Sequence, residues 1–171
     1  MSENFNSKVF KATKWSTITE VIVKVLSPIT NMILARLLTP EAFGIVASIT
    51  IITSLGEMFA EAGFQNYLVQ HEFKNQEELD KSTTVAFWSN FIISGLIYII
   101  IFLTRNQVGR LLGNEQLGFP ISIASISILL TSFSSIQIAR YRRDFDYKTL
   151  FFVRILSSVV PFIVTIPMAY V

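Results

Sequence analysis

The sequence contains no cysteine and a single histidine, His71, so several classes of site are excluded at the outset. Without cysteine there can be no disulfide framework, no thiolate metal site and no cysteine nucleophile. One histidine also removes most metal sites and most acid–base sites. We therefore expect neither a metal nor a cofactor.

Charge is scarce as well, because 15% of the 171 residues are charged, against about 25% in an average soluble domain. The 14 Lys and Arg residues nearly balance the 12 Asp and Glu residues, for a net charge of +2. No basic cluster is interleaved with aromatic residues, so nucleic acid is not expected as a partner. The 51% of hydrophobic residues and the mean hydropathy of +0.54 leave too little polar surface for a soluble fold.

The hydrophobic residues come in segments long enough to cross a bilayer. A spanning helix needs about 20 mostly apolar residues, since a rise of 1.5 Å per residue must cross roughly 30 Å of hydrocarbon. Five segments meet this requirement: residues 18–38, 42–60, 85–103, 119–139 and 151–171. They predict an all-α integral membrane protein with about five transmembrane helices, preceded by residues 1–14 along the membrane surface. The last span ends without a polar flank, so we expect the chain to be incomplete.

The cations predict the orientation of these spans, because short loops rich in Lys and Arg stay in the cytoplasm. With the N-terminus inside, that side holds ten of the 14 Lys and Arg residues and the far side holds three. The remaining cation, Lys24, lies within the first span. We therefore predict a multi-pass protein with a cytoplasmic N-terminus.

The first two spans carry polar residues spaced along one helix face. The two sets, each at spacings of 4, 3 and 4 residues, are Glu20, Lys24, Ser27 and Asn31, and Thr50, Ser54, Glu57 and Glu61. Each set predicts a polar stripe about 16 Å long. Ionisable groups inside a span cost roughly 2.5–3.5 kcal/mol on insertion scales, so such stripes should avoid lipid. We interpret them as the lining of an aqueous cavity open to the cytoplasm.

Simpler explanations remain open for several of these features. Glu20 and Lys24 can pair within their own helix at i,i+4 and serve packing alone. The four serines at 122, 125, 132 and 135 in the fourth span are typical of helix packing contacts. The basic segment 140–148 can bind anionic lipid headgroups, or it can simply set the topology.

Two motifs resemble a known family of transporters. The segments ARLLTPEAFGIVA (residues 35–47) and FAEAGFQNYLVQ (residues 59–70) resemble the opening of bacterial polysaccharide flippases. These are the O-antigen and exopolysaccharide exporters, which belong to the superfamily that includes multidrug and toxic-compound extruders. The resemblance implies two bundles of about six helices that rock around a central cavity. The five spans would then form most of the N-terminal six-helix bundle.

The resemblance also implies a cargo and roles for the stripe residues. Family members move an undecaprenyl-diphosphate-linked oligosaccharide across the bacterial inner membrane, driven by an ion gradient. By position, the substrate contacts would be Lys24, Asn31 and Arg36, and the candidates for H⁺ or Na⁺ coupling would be Glu20, Glu57 and Glu61. Only five of about twelve spans are present, so a C-terminal bundle or a partner chain would be needed for alternating access.

Three other functions stay open from the sequence. A drug or small-cation antiporter of the same superfamily would use the carboxylates of the second span equally well. A membrane-embedded lipid-linked sugar transferase would need metal carboxylates or a general base, for which Asp144 and Asp146 are the available pair. A membrane scaffold that transports nothing is the third alternative.

Overall fold

The fold is described by a computed structural model that covers residues 2–61 and 63–168. These residues form seven α-helices and one 3-10 turn: α1 (Ser2–Leu37), α2 (Pro40–Ala60), α3 (Phe64–Gln70), α4 (Gln76–Leu111), the turn Glu115–Leu117, α5 (Gly118–Ala124), α6 (Ile126–Arg143) and α7 (Tyr147–Met168). The described residues contain no β-strand, so the predicted all-α class is confirmed. Residues 169–171, the end of the fifth predicted span, lie outside the described part.

Four stretches of helix are long and apolar enough to cross a membrane. Among the described residues these are Val9–Leu37, Pro40–Ala60, Gln76–Leu111 and Gly118–Arg143. Three of them contain a predicted span entirely and Val9–Leu37 contains the first one except for residue 38, so the chain is a membrane protein with several spans. The fifth span, which α7 follows over most of its length, stays a prediction.

Two of the helices are longer than a bilayer requires. Both α1 and α4 have 36 residues, which corresponds to about 54 Å of helix. The structure corrects the prediction for residues 1–14, because residues 2–14 continue the same helix as the first span and do not form a separate surface segment. Both helices must therefore extend beyond the hydrocarbon layer at one end or at both.

The helix starts follow from local capping chemistry. Thr39 caps α2, since its hydroxyl oxygen accepts a hydrogen bond from the Ala42 amide at 3.2 Å. Asn75 caps α4 in the same way, since its side-chain Oδ1 accepts a hydrogen bond from the Glu78 amide at 2.8 Å. The Glu78 carboxylate in turn accepts from the amide of Lys74, the residue before the cap, at 2.8 Å.

The chain divides into two compact units. The first unit contains the chain up to Phe43 together with the chain from Tyr141 onward, and in it α1 packs against α7. The Trp15 and Phe151 rings lie 4.9 Å apart between these two helices. The aromatic contact fixes which turns of α1 and α7 face each other.

The second unit contains Gly44–Arg140 and is organised around α4. Its buried cluster joins α3, α4 and α6 through Leu68, Ala86, Ile136 and Ala139. The four serines of the fourth predicted span are all buried, which supports their interpretation as packing residues. This span is divided between α5 and α6 at Ser125, whose hydroxyl donates to the Ile121 carbonyl at 2.7 Å.

Gly56 of α2 marks a close approach to α4 and α6. A Cβ at this position would lie 2.5 Å from Ile128 Cδ1 and 3.2 Å from Ile101 Cδ1, whereas a Cβ at Gly95 of α4 would meet nothing within 4 Å. We expect Gly56→Leu to destabilise the fold by about 1–3 kcal/mol through overpacking. Gly95→Leu, the matched control, should change stability much less. Thermal unfolding in detergent micelles measures both, and equal losses would contradict the close approach.

Candidate functional site

The first group of charged side chains lies between α1 and α7. Arg154 Nη1 donates to Glu20 Oε1 at 2.6 Å, and Lys24 Nζ lies 3.8 Å from Glu20 Oε2. One carboxylate thus faces two cations, which leaves a net positive charge. The i,i+4 pairing of Glu20 with Lys24 is present, but the shorter contact is the one to Arg154. We call Glu20, Lys24 and Arg154 the α1–α7 ion cluster.

Neighbouring contacts hold this cluster in register. Thr19, the residue before Glu20, is buried, and its hydroxyl donates to the Trp15 carbonyl at 2.7 Å. Trp15 contacts Phe151, which precedes Arg154 by one turn of α7. The packing of the two helices therefore brings Arg154 to Glu20 across 134 residues of sequence.

Sequence reasoning missed Arg154 as a site residue and counted it among the charges that set the topology. One signal was present, because Arg154 is the only charged residue in the apolar stretch 151–171. A lone charge in a span is usually paired with another side chain. Glu20 is that partner.

The second polar group lies in the other unit, among α2, α4 and α6. Glu57 Oε1 accepts from Ser127 Oγ at 3.3 Å and from Thr131 Oγ1 at 3.5 Å, both of α6. Within residues 2–61 and 63–168, no Lys or Arg forms a salt bridge with Glu57. The carboxylate is therefore held by two long hydrogen bonds from hydroxyl groups.

A buried polar core lies next to Glu57. Asn90 of α4 is 3% exposed, and its Nδ2 donates to Ser135 Oγ at 2.9 Å and to the Ser132 carbonyl at 3.3 Å. Ser94, one turn further along α4, is fully buried, and its hydroxyl has no hydrogen-bond partner among the residues that the structure describes.

These groups enclose a cavity of about 10 Å³, which Glu57, Asn90 and Ser94 line together with Glu61. This volume is close to the ~10–15 Å³ that one water molecule needs. A single water or a small cation can therefore be held between the carboxylate and the unpaired hydroxyl. We call this cavity with its lining the Glu57 pocket.

The remaining predicted site residues are more exposed. Glu61 follows the end of α2 and accepts a hydrogen bond from Gln65 Nε2 at 3.1 Å. Asn31 and Arg36 are exposed on the second half of α1. The stripe of α1 belongs to the first unit and all four residues of the α2 stripe belong to the second, so their common cavity stays a prediction.

Asp146, a member of the carboxylate pair considered for an enzyme, caps α7. Its Oδ1 accepts from the Thr149 amide at 3.1 Å and its Oδ2 from the Thr149 hydroxyl at 2.6 Å. The Thr149 hydroxyl lowers the pKa of Asp146 most, followed by the Thr149 amide, and the Lys148 charge contributes as well. Because the pKa is lowered in the folded state, the ionised cap stabilises the fold at pH values above the ordinary pKa of Asp. This stabilisation is lost as the pH falls through the folded-state pKa. Both oxygens are thus used by the helix start.

These features together define a multi-span helical membrane protein with charged and hydroxyl side chains between its helices. The chain belongs to the polysaccharide biosynthesis protein family, whose pattern matches residues 33–171. This finding confirms the resemblance drawn from the motifs at residues 35–47 and 59–70.

Individual relatives agree with the family. The chain is 21% identical over 159 residues to an uncharacterized membrane protein in the cps region of Klebsiella pneumoniae, covering 93% of this chain and 32% of that protein. It is 24% identical to the lipopolysaccharide biosynthesis protein WzxC of Escherichia coli, covering 74% of this chain and 25% of WzxC. It is 30% identical to the succinoglycan biosynthesis transport protein ExoT of Rhizobium meliloti, covering 76% of this chain and 26% of ExoT. The chain thus spans about a quarter to a third of the length of these relatives, and no solved structure matches it.

Proposed function

We propose that this chain is part of an exporter that moves a lipid-linked oligosaccharide across the bacterial inner membrane for cell-surface polysaccharide synthesis. The observation that carries the proposal is the Glu57 pocket, a carboxylate surrounded by hydroxyl groups within a bundle of apolar helices. Such a group inside a span marks an ion or substrate pathway by default. The names of WzxC and ExoT, which refer to lipopolysaccharide biosynthesis and succinoglycan transport, support the cargo class.

The division of labour follows from the local chemistry. Glu57, with Glu61 beside it, is the candidate for H⁺ or Na⁺ coupling, because a carboxylate that forms no salt bridge with a described residue can be neutralised by either ion. Glu20 is already neutralised by Arg154 and Lys24, so its role in coupling is secondary to holding these cations. Lys24, Asn31 and Arg36 remain the candidates for substrate contact along α1.

Export by alternating access needs two bodies that move against each other around a site between them. The family relatives are about three to four times longer than the segment matched here. We therefore assign residues 1–171 to most of the first bundle, with a second bundle supplied by further sequence or by a partner chain. The N-terminus is assigned to the cytoplasm, in agreement with the excess of cations on that side.

A small-cation or drug antiporter is the second candidate. Glu57 favours it specifically, since a carboxylate with hydroxyl neighbours and no salt bridge among the described residues suits a cationic cargo as well as a coupling ion. The two candidates differ in the cargo that accumulates when the gene is removed.

The test is deletion of the coding sequence in the bacterium of origin. For the exporter, we expect lipid-linked oligosaccharide to accumulate in the cytoplasmic leaflet and surface polysaccharide to be lost. A lectin or a glycosidase applied to sealed right-side-out and inverted vesicles measures the leaflet distribution. Restoration by the intact gene is the control. Normal leaflet distribution combined with increased sensitivity to cationic drugs would replace the exporter by the antiporter.

A further inference from the structure

A second cavity lies entirely within the first unit, at the junction of α1 with the start of α7. It has a volume of about 270 Å³, well above the ~10–15 Å³ needed for one water molecule. Its lining includes Ser16 and Glu20 of α1, and Arg142, Tyr147 and Arg154 from the end of α6 and from α7. We call it the Arg142 cavity.

The lining is rich in hydrogen-bond donors and positive overall. The lining contains two guanidinium groups, those of Arg142 and Arg154, and one carboxylate, that of Glu20, so the formal charges of the lining residues sum to +1. Arg154 uses Nη1 for Glu20, and a guanidinium has further N–H donors on its other nitrogens. The hydroxyl groups of Tyr147 and Ser16 add two neutral donors. Paired guanidinium groups with hydroxyl donors are the chemistry that recognises phosphate oxygens.

The cavity lies next to the start of the predicted fifth span. Arg142 is the penultimate residue of α6 and Tyr147 is the first residue of α7. Arg154 lies seven residues further, about 10 Å along the helix. The headgroup layer is about 5–8 Å thick on each side of the hydrocarbon. With residues 151–171 as the predicted fifth span, Arg142 and Tyr147 precede the span and Arg154 is its fourth residue, so a group bound between them would lie at the predicted membrane interface.

The outer surface of α7 suits the rest of a lipid. Phe152 and Leu156 are 59% and 65% exposed. They lie two residues before and two residues after Arg154 on α7. Acyl or prenyl chains can cover such side chains, whereas a soluble phosphate compound cannot.

We propose that the Arg142 cavity binds the phosphate of a lipid headgroup, with Arg142, Arg154 and Tyr147 as the main contacts. The ligand is either an anionic phospholipid or the diphosphate of a polyprenyl carrier, since both present phosphate oxygens at this depth. The cavity is distinct from the Glu57 pocket and from the exposed residues Asn31 and Arg36. The proposal concerns lipid binding alone and does not depend on export.

The test uses the full chain purified in detergent and native mass spectrometry with added lipids. The probes are phosphatidylglycerol, undecaprenyl diphosphate and a diacylglycerol that lacks phosphate. We expect the phosphate lipids to bind and the diacylglycerol not to bind. Arg142→Gln should weaken phosphate-lipid binding roughly tenfold, which corresponds to about 1.4 kcal/mol. Tyr147→Phe should weaken it less, since it removes a single neutral donor.

Lys148→Gln is the matched control, because it removes one charge from the same connection at a residue outside the cavity lining. It should leave binding near the wild-type value, and thermal unfolding checks that both variants are folded. Tighter binding of undecaprenyl diphosphate than of phosphatidylglycerol would assign the cavity to the carrier, and the reverse order would assign it to phospholipid. Equal weakening by Lys148→Gln and Arg142→Gln, or equal binding of the diacylglycerol, would overturn the proposal.

Discussion

Replacing Glu57 with Gln is expected to reduce ion-driven export by at least roughly tenfold, a change of about 1.4 kcal/mol in the activation free energy. The amide keeps the size of the side chain and can still accept hydrogen bonds from Ser127 and Thr131. It cannot, however, release a proton or compensate a bound cation. Export should therefore lose its dependence on the H⁺ or Na⁺ gradient. The measurement is the rate of oligosaccharide movement in vesicles from cells that carry the variant gene.

Glu41→Gln serves as the matched control for this prediction. Glu41 is an exposed carboxylate in the first turn of the same helix, far from the Glu57 pocket. We expect it to leave both the rate and the gradient dependence unchanged. A Glu57→Gln variant that exports at the wild-type rate with an intact gradient response would remove Glu57 from the coupling mechanism. The cargo assignment would survive that result, since it is tested by the gene deletion.

Removing Arg154 is expected to destabilise the fold. Arg154→Leu leaves the Glu20 carboxylate without its 2.6 Å partner, and Lys24 at 3.8 Å is too exposed to replace it. We expect a loss of about 1–3 kcal/mol, below the ~3–5 kcal/mol of a fully buried pair, because both side chains are partly exposed. Tryptophan fluorescence during thermal unfolding measures the loss, since Trp15 lies against α7.

A double variant separates the ion pair from simple packing. Glu20→Leu combined with Arg154→Leu should be more stable than Arg154→Leu alone, because the carboxylate that lost its arginine partner is removed as well. Lys24→Leu is the control and should change stability little, as expected of an exposed pair. If the double variant were less stable than the single variant by the full effect of Glu20→Leu, the two side chains would not be coupled.

Much of the secondary structure could be predicted because its causes are local. The lengths of the apolar segments predict spanning helices wherever about 20 residues must cross the hydrocarbon. The Thr39, Pro40 and Glu41 sequence predicts the start of α2 because a cap involves neighbouring residues only. The prediction of a separate surface segment at residues 1–14 was wrong, because the local pattern does not distinguish the two cases. Lysines at residues 8, 11 and 14 suit the membrane surface equally well on a helix that continues into the span.

The candidate site could be predicted only in part. The spacing of Glu20 and Lys24 predicts their contact, since residues four apart share a helix face. The same spacing places Glu57 on a polar stripe, but it does not identify Ser127 and Thr131 as its partners, which are 70 and 74 residues away. Asn90 and Ser94 were not singled out at all, because one amide and one hydroxyl in an apolar stretch carry no distinctive pattern.

The sequence by itself determined that this is an all-helical membrane protein of the polysaccharide biosynthesis family with ionisable groups inside its helices. Segment length, hydropathy and short motifs suffice for that conclusion, because each depends on residues close together in the chain. Only the tertiary structure decided which charges meet, that Arg154 neutralises Glu20 and that Glu57 is left with hydroxyl groups. Those contacts depend on how each helix is rotated and shifted against its neighbour, and this follows from side-chain packing between distant segments.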